Sequence, residues 1–263
     1  RDALSYDAAL AGARASLEAG REKLPQGRAG LLPSVNLTGN SNWNEADYRT
    51  TGRSQGYNSN GWQVQLTQPL FRWQNWVSYG QSKLQVAQAE ANFVQARQDL
   101  ILRVSQAYFD AIYAVENLKA VRANKTAIAQ QLESAKKNFE VGTATITDAP
   151  EARARYDLAA AQEIAAESDV EIRQHALQAI IGKMPGPLAT TRKDAVLTAP
   201  QPSDMNQWVA AAEKDNIPVQ IQQAAADIAA REVDKQRAGH YPTIDLVANQ
   251  GHSKSFASTY GPD

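Results

Sequence analysis

A run of 61 residues without proline or glycine constrains the fold of this chain more than any other feature. It extends from Gln81 to Val141 and is dominated by Ala, Gln, Leu, Glu and Lys, which are good helix formers. Apolar residues recur in it every three or four positions, as at Ala107, Ala111 and Val115. We therefore predict one helix over residues 75–141, roughly 100 Å long at 1.5 Å per residue. Because no compact domain can bury such a rod against itself, it must pack sideways against other long helices.

A turn and a second helix follow, so the sequence predicts a long helical hairpin. Gly142 suits the left-handed position that ends a helix, and residues 142–148 would form the exposed tip. Asp148 is the predicted N-cap of the next helix, with Glu151 three residues on as its capping-box partner. That helix is predicted over residues 149–181.

A shorter helix is predicted near the start of the chain, over residues 5–32, with a kink near Pro25. Its length and that of the helix over 149–181 add up to about the length of the long helix. We therefore expect these two helices to stack end to end, with both lying against the long helix.

Composition and residue spacing exclude several classes of function. The net charge is −1, from 27 basic and 28 acidic residues, so the chain offers no basic field for nucleic acid. There is no cysteine, and His175, His240 and His252 lie far apart without the spacing of metal ligands. No catalytic, cofactor-binding or metal site is predicted, and we do not expect an enzyme.

Two segments alternate between apolar and polar residues and are predicted as strands, over residues 34–45 and 61–70, with a polar loop over 48–60. Their apolar residues are Val35, Leu37, Trp62, Val64 and Leu66. Amide or hydroxyl side chains occupy most of the alternate positions. Two interpretations are open: tilted membrane strands whose apolar residues face lipid, or a globular hairpin with one buried face.

Three aromatic residues stand where the second strand gives way to the long helix. They are Trp73, Trp76 and Tyr79. Such residues are typical of a membrane interface, where their amphipathic rings lie at the level of the headgroups. Packing at the base of the helix is the alternative explanation.

An internal repeat indicates how the chain is organised. The sequence RAGLLPSVNL at Arg28–Leu37 returns as RAGHYPTIDL at Arg237–Leu246, 209 residues later. Each copy follows an Ala-rich helix and precedes an alternating strand, which in the second copy has Ile244 and Leu246 as its apolar residues. We predict a first repeat over residues 1–182 and an incomplete second repeat over 217–263.

The region between the repeats, residues 183–216, is rich in proline and is predicted to be a strap beside the hairpin. It should hold a short helix from Met205 to Asp215, capped by Ser203 or Asp204. The second repeat stops within its predicted loop, so the chain is expected to be a fragment. Its strands are then expected to be disordered or abnormally paired, because partners for their edges would be missing.

Six segments together resemble the TolC family of outer-membrane channels, which serve type I secretion and multidrug efflux. They are Arg28–Leu37 and its repeat Arg237–Leu246, Gln68–Phe71, Ala107–Asp110, Val141–Asp148 and Ala152–Asp157. The form Gly-Thr-x-Thr-x-Thr-Asp at the tip is closer to the type I secretion members than to the lipidated drug-efflux members.

The resemblance implies a mainly α fold, with a very long coiled-coil-like hairpin from an α-barrel and a short strand pair from a membrane β-barrel. The intact protein would be a homotrimer in the bacterial outer membrane, with lipid around its strands and its helices in the periplasm. It would be the passive exit duct of a tripartite export system. Its partners would be a periplasmic membrane-fusion adaptor and an inner-membrane transporter, with no cofactor. The alternative, a soluble coiled-coil scaffold or periplasmic adaptor, would have no lipid-facing strands.

The resemblance also implies roles for residues of the tip. The turn that meets the adaptor would consist of Val141, Gly142, Thr143 and Ala144. Thr147 and Asp148 match positions that constrict the periplasmic entrance in the family. A plain helix cap is the alternative role for Asp148, and the two roles are compatible.

Overall fold

The computed structural model describes residues 2–48, 52–143, 145–190 and 198–254. Within these residues the helices are α1 Asp2–Tyr6, α2 Ala8–Arg21, α3 Lys23–Ala29, α4 Trp73–Glu140, α5 Asp148–Ile181, α6 Met205–Asp215 and α7 Ile217–Ala238. The strands are β1 Ser34–Tyr48, β2 Arg53–Phe71 and β3 Ile244–Lys254. The chain divides into two compact units, one of Arg1–Ser16 with Asn92–Ile217 and one of Leu17–Ala91 with Pro218–Asp263.

The predicted helical hairpin is confirmed. Helix α4 is one uninterrupted helix of 68 residues, and α5, which follows the tip, has 34. Both end at a glycine in the left-handed conformation, with φ of +78° at Gly142, as predicted, and +79° at Gly182. No described helix combines enough length and apolar character to cross a membrane.

The single helix predicted over residues 5–32 is wrong, because the structure has three helices there. Helices α1 and α2 are separated at Asp7, and α2 and α3 at Glu22. Pro25 explains the second break: it has no N–H to offer the carbonyl of Arg21, and its ring crowds that carbonyl. The kink therefore falls one turn before the proline, and α7 in the second repeat, where Asp234 replaces Pro25, has no such break.

The end of α5 meets the start of α1, which confirms the expected stacking of these two helices. Lys183 Nζ lies 2.7 Å from Asp2 Oδ2. The ring of Tyr6 covers Gly182 so closely that it leaves no room for a Cβ there. A small apolar core supports this joint. It contains Ala3, Leu10 and Leu100, with Phe93, Val104, Ile180 and Ile181 packed against them.

Asp7 ties the joint to α4, a role that the sequence analysis missed. Its carboxylate accepts a hydrogen bond of 2.8 Å from the backbone N–H of Leu10 and so caps α2. It also binds both Nη atoms of Arg103 on α4, at 3.0 and 3.1 Å. Hydrogen bonds from Arg103 lower the pKa of Asp7, against the opposing effect of burial. The signal in the sequence was an aspartate directly before the run Ala-Ala-Leu.

We expect Asp7→Asn to weaken the fold by about 1 kcal/mol at neutral pH, because the amide keeps the cap but loses the charged bond to Arg103. The pKa of Asp7 is lowered in the native state. The greater stability of the wild type is therefore fully present above the usual aspartate pKa of about 4, and it is lost as the pH falls through the native pKa of Asp7. Thermal unfolding of both proteins, followed by helical circular dichroism between pH 3 and pH 7, measures the difference. A difference that stays constant over this range would contradict the assignment.

The strands form one antiparallel sheet in the order β1-β2-β3. The pairing of β1 with β2 extends from Ser34↔Thr67 to Tyr48↔Arg53, so the loop predicted over 48–60 is wrong at Tyr48 and over 53–60, and only Gly52 is a described turn residue. Residues 49–51 lie outside the described part. Asn, Ser and Gly in this segment suggest a turn, but the backbone ladder continues through them.

The expectation of disordered or abnormally paired strands is wrong for the described strands. The ladder of β2 with β3 is regular from Asn60↔Lys254 to Thr67↔Val247, with a register shift between Pro69 and Phe71. Proline cannot donate to a ladder, which accounts for the irregular position. Residues 255–263, the predicted second loop, lie outside the described residues.

Both copies of the repeated sequence lie at a junction of helix and strand. Arg28–Leu37 spans the end of α3 and the start of β1, and Arg237–Leu246 spans the end of α7 and the start of β3. Between the repeats, the predicted short helix is confirmed as α6. Its N-cap is Asp204, whose carboxylate accepts a bond of 2.9 Å from the N–H of Asn206.

Candidate functional site: the hairpin tip and the two-faced sheet

At the start of the hairpin tip, hydrogen bonds from the turn satisfy the last carbonyl groups of α4. The N–H of Thr143 donates to the carbonyl of Asn138 at 2.8 Å, and the N–H of Gly142 donates to that of Phe139 at 3.0 Å. This pair of bonds defines a Schellman motif, in which the left-handed residue is normally glycine. The Thr143 hydroxyl adds a third bond, of 3.0 Å, to Asn138 O. The predicted docking turn thus has a defined backbone, except at Ala144, which lies outside the described residues.

The predicted N-cap is wrong by one residue, since Thr147 occupies the cap position and makes no side-chain cap. Asp148 is the first residue of α5, and its Oδ2 reaches back to accept a bond of 2.8 Å from the N–H of Thr145. The hydroxyls of Thr145 and Thr147 lie 2.9 Å apart. The bonds from Thr145 lower the pKa of Asp148. The carboxylate therefore closes the turn before the helix instead of capping it.

The capping box with Glu151 is also wrong. Glu151 pairs along its own helix with Arg155, at 2.6 Å. This i,i+4 arrangement competes with a reach back to the cap position. Glu151 is consequently a carboxylate beside the tip that takes no part in closing the turn.

Two large apolar side chains are exposed at the tip. Val141 is 71% exposed and Ile146 is 76% exposed. Val141 belongs to the predicted docking turn, whereas no role was predicted for Ile146. The signal for Ile146 was an isoleucine between two threonines in a turn, where burial by neighbouring residues of the chain is difficult.

An ion-pair cluster joins α4 to α5 further from the tip. Glu163 accepts Arg122 Nε at 3.0 Å and Lys125 Nζ at 2.6 Å, and Arg122 Nη2 lies 2.6 Å from Glu167. Between this cluster and the tip, the helices border a cleft of about 340 Å³. Its lining comprises Ile128, Gln131 and Ala135 of α4 with Asp148, Glu151, Ala152 and Arg155 of α5.

The register of the sheet places all the predicted lipid-facing residues on one face. Residues directly opposite in an antiparallel pair share a face, and the pairs are Val35↔Leu66, Leu37↔Val64 and Leu66↔Ala248. Leu246 and Ile244 follow at alternate positions of β3 and extend this face. Val35, Leu37, Trp62, Ile244 and Leu246 are each 48–73% exposed. The described part of the chain thus leaves a contiguous apolar patch exposed on this face, which also carries Gln68, Gln250 and His252.

The opposite face of the sheet is mostly polar, with Val247 as an exposed apolar residue on it. Its side chains include Asn36, Thr38, Asn40, Gln63, Gln65 and Asn249. Near the helical end of this face, Asp245 binds Arg72 through two hydrogen bonds, of which Nε to Oδ1 is 2.8 Å. This pair joins residues 173 positions apart and was not predicted from the sequence. It fixes β3 to the segment that enters α4.

The three aromatic residues at the base of α4 differ in exposure. Trp73 is 48% exposed and Trp76 is 54% exposed. Tyr79 is half-buried, and Lys83 Nζ lies 4.6 Å from the centre of its ring. Packing within the described chain therefore leaves about half of each tryptophan uncovered.

Histidine, aspartate and glutamate do not form a metal-binding group anywhere in the described ranges. His175 Nδ1 lies 2.9 Å from Gln178 Oε1 on the same helix. The described residues thus offer surfaces for recognition and no reactive group: an apolar patch and a polar face on the sheet, and exposed apolar side chains at the tip.

Comparison with known proteins gives a consistent result. The family model described as outer membrane efflux protein matches residues 1–183. The outer membrane protein TolC of Vibrio cholerae is 32% identical over 242 residues, which cover 91% of this chain and 54% of that protein. The proteases secretion protein PrtF of Dickeya chrysanthemi is 30% identical over 263 residues, covering 96% of this chain and 57% of that protein.

A solved structure has the same fold. The outer membrane protein VceC of Vibrio cholerae matches with a TM-score of 0.73 at 20% identity, covering 96% of this chain and 61% of that one. The chain spans about half the length of the curated relatives it matches.

Proposed function

The chain belongs to the outer membrane efflux protein family, whose members are channels and not enzymes, and on this premise we propose that the whole protein is an outer-membrane exit duct of a bacterial export system. It would be a homotrimer with its strands in lipid and its helices in the periplasm. A periplasmic adaptor and an inner-membrane transporter would supply the contacts and the energy for export. The duct itself would contribute a passage that opens and closes.

The single observation that carries this proposal is the exposed apolar face of the sheet, opposite a polar face. In a membrane channel the apolar face meets lipid and the polar face meets the aqueous passage, so neither is left unsatisfied. A soluble scaffold or adaptor would have to cover the apolar face with protein, and the described part of the chain provides no such cover.

Fractionation of cells that express the full-length protein tests the proposal. We expect the protein in the outer-membrane fraction, soluble only with detergent, with a detergent-corrected mass of three chains. A full-length protein that stays soluble and monomeric without detergent would favour the scaffold or adaptor instead.

Type I protein secretion is the export route that we favour over drug efflux. The relative PrtF is named for the secretion of proteases, and the Gly-Thr-x-Thr-x-Thr-Asp form of the tip supports the same choice. Deletion of the full-length gene should then abolish secretion of a protein substrate. If the deletion changes drug susceptibility while protein secretion continues, drug efflux becomes the favoured export route.

We assign proposed roles to the predicted site residues on this basis. The docking turn would be Val141, Gly142, Thr143 and Ala144; the entrance gate would be Thr147 and Asp148; the interface belt would be Trp73, Trp76 and Tyr79. The exposure of Val141 and of the two tryptophans supports these roles. Residues 183–216 would be the strap between the repeats.

If Asp148 helps to hold the entrance closed, Asp148→Asn should raise the single-channel conductance of the full-length protein. The amide can still accept the bond from Thr145 N–H, but the charge available for a link across the entrance is lost. Conductance in planar bilayers measures the effect, with Glu151→Gln, which removes a neighbouring charge outside the turn, as the control. Equal conductance of Asp148→Asn and the wild type would contradict the assignment of Asp148 to the entrance gate.

A further inference from the structure

Three segments meet where the helices join the sheet, and they contain basic residues but no acidic ones. Residues 23–36, 66–89 and 235–244 include no Asp or Glu. Their basic residues are Lys23, Arg28, Arg72, Lys83, Lys235 and Arg237. Two of these bind carboxylates from outside the segments, since Arg72 pairs with Asp245 and Lys235 lies 3.4 Å from Glu232. The whole chain has a net charge of −1, so the excess of cations here is local.

Three of the cations are exposed and have no acidic partner. They are Arg28, Lys83 and Arg237, and we call them the basic collar. In the described part of the chain, no carboxylate forms an ion pair with any of them. Arg28 and Arg237 lie in the last turns of α3 and α7, where a cation also stabilises the helix dipole. Lys83 lies well inside α4, so the helix dipole does not account for the collar as a whole.

Helix α3 brings Arg28 close to Lys83 on α4. Gly27 lies so near Ser82 that the Ser82 hydroxyl fills the space where a Cβ at Gly27 would stand. Arg28 follows Gly27, and Lys83 follows Ser82, so the two cations leave adjoining turns of the packed helices. Their positive potentials therefore add.

Helix α7 lies beside the same part of α4 and brings Arg237 to the same level. Gln81 Nε2 donates to Glu232 Oε2 at 3.1 Å. Helix α7 leads into β3, whereas α4 leaves β2, so the two helices run in opposite directions. Arg237 is five residues beyond Glu232 towards the sheet, and Trp76 is five residues before Gln81 in the same direction. Arg237 is therefore level with Trp76.

The collar borders the apolar patch of the sheet and two tryptophans that are about half exposed. Trp73 and Trp76 begin α4 directly after β2. In membrane proteins, tryptophan lies at the level of the lipid headgroups, which is also where the phosphate groups lie. Arginine donates paired N–H bonds to phosphate oxygens, and lysine binds phosphate as a point charge. Cations beside exposed tryptophans therefore fit a phospholipid whose headgroup carries a net negative charge.

We propose that the basic collar binds the headgroup phosphates of anionic phospholipids in the periplasmic leaflet of the outer membrane. The inference rests on the proposed function and deepens it, because it names a lipid class for one end of the membrane-facing sheet. A free phosphate ion would use the cations alone. The tryptophans and the apolar patch beside them add contacts for the glycerol and acyl-chain region of a lipid, so lipid is the occupant that the whole surface fits.

Dibrominated phosphatidylglycerol is the probe, because bromine quenches tryptophan fluorescence on contact. The full-length protein in detergent is titrated with this lipid and, for comparison, with dibrominated phosphatidylcholine, which has no net charge. The test variant combines Arg28→Gln with Arg237→Gln. Its matched control combines Arg14→Gln with Arg97→Gln, which removes two exposed arginines that each lie 14 residues along the chain from the nearest collar residue. Circular dichroism and the detergent-corrected mass establish that each variant is folded and assembled.

We expect the wild type to bind phosphatidylglycerol about 10-fold to 100-fold more tightly than phosphatidylcholine, since each cation near an anionic lipid surface strengthens binding about fivefold. The collar variant should lower this preference about 10-fold to 30-fold, and the control variant should keep it. Lys83→Gln alone should lower the preference about fivefold, which provides a second test if the collar variant does not assemble. High salt should weaken the preference, because the collar is exposed.

Equal binding of the two lipids by the wild type, or an equal loss of preference in the collar and control variants, would overturn the proposal. Displacement of phosphatidylglycerol by inorganic phosphate at the same concentration would also overturn it, because the cations would then bind an anion without its acyl chains. A full-length protein that forms an outer-membrane trimer but binds both lipids equally contradicts the collar alone. A full-length protein that stays soluble without detergent contradicts the proposed function itself.

Discussion

Replacing Leu66 with arginine is expected to prevent assembly of the full-length protein in the outer membrane. Leu66 lies on the central strand, between Val35 and Ala248 on the apolar face. If this face meets lipid as proposed, an arginine on it near the middle of the bilayer costs about 2–4 kcal/mol, and the proposed trimer would bear this cost three times. The amount of folded trimer in the outer-membrane fraction, measured by its resistance to protease, should fall at least tenfold.

The neighbouring residue provides the matched control. Gln65 lies on the opposite face between Asn36 and Asn249, so Gln65→Arg places the same charge one position away, on the polar side of the sheet. We expect nearly normal assembly of this variant, because the guanidinium stays in contact with water. Equal loss in both variants would show that the sheet does not separate lipid from water.

Replacing Leu100 with alanine is expected to be the most destabilising single truncation in the helical part of the chain. Leu100 is 1% exposed and belongs to the small core where α1, α4 and α5 meet. Deleting a buried leucine side chain costs about 2–5 kcal/mol, more when the cavity cannot collapse. Urea unfolding monitored by circular dichroism should show an earlier midpoint with an unchanged slope.

Leu102, two residues further along the same helix, is the control for that experiment. It is 68% exposed, so Leu102→Ala removes the same atoms from a position that the described chain leaves in water. We expect a change in unfolding free energy of about 0.5 kcal/mol or less. A similar loss for both leucines would contradict the position of the core at the joint of α1 and α5.

Local patterns in the sequence were sufficient to predict the long helix and the two-faced strands. Helix α4 contains no breaker beyond Gly80, and its ends lie within two residues of the prediction. The alternation of Val35 and Leu37, and of Trp62, Val64 and Leu66, holds in the observed register. These features depend on neighbours in the chain, and periodicity alone reveals them.

The errors arose where a distant contact or a competing local bond decides the structure. The outer part of the β1–β2 pair is rich in Asn, Ser and Gly, and only cross-strand pairing makes it a strand. Aspartate is a residue type typical of N-caps, but the carboxylate of Asp148 accepts a hydrogen bond from the N–H of Thr145 instead. The pairing of Arg72 with Asp245 depends on the completed topology and has no local signature.

The register between β2 and β3 has a consequence for the order in which the chain can fold. Thr67 pairs with Val247, so about 180 residues that follow Thr67 must be synthesised before this part of the ladder can form. The β1–β2 hairpin, by contrast, joins neighbours in sequence and can form early. Until β3 pairs, the side of β2 opposite β1 has unpaired backbone donors and acceptors. Such an unpaired edge can pair wrongly with other chains. The edge is covered only when β3 has paired along β2, which makes this late pairing the step that protects the sheet from wrong partners.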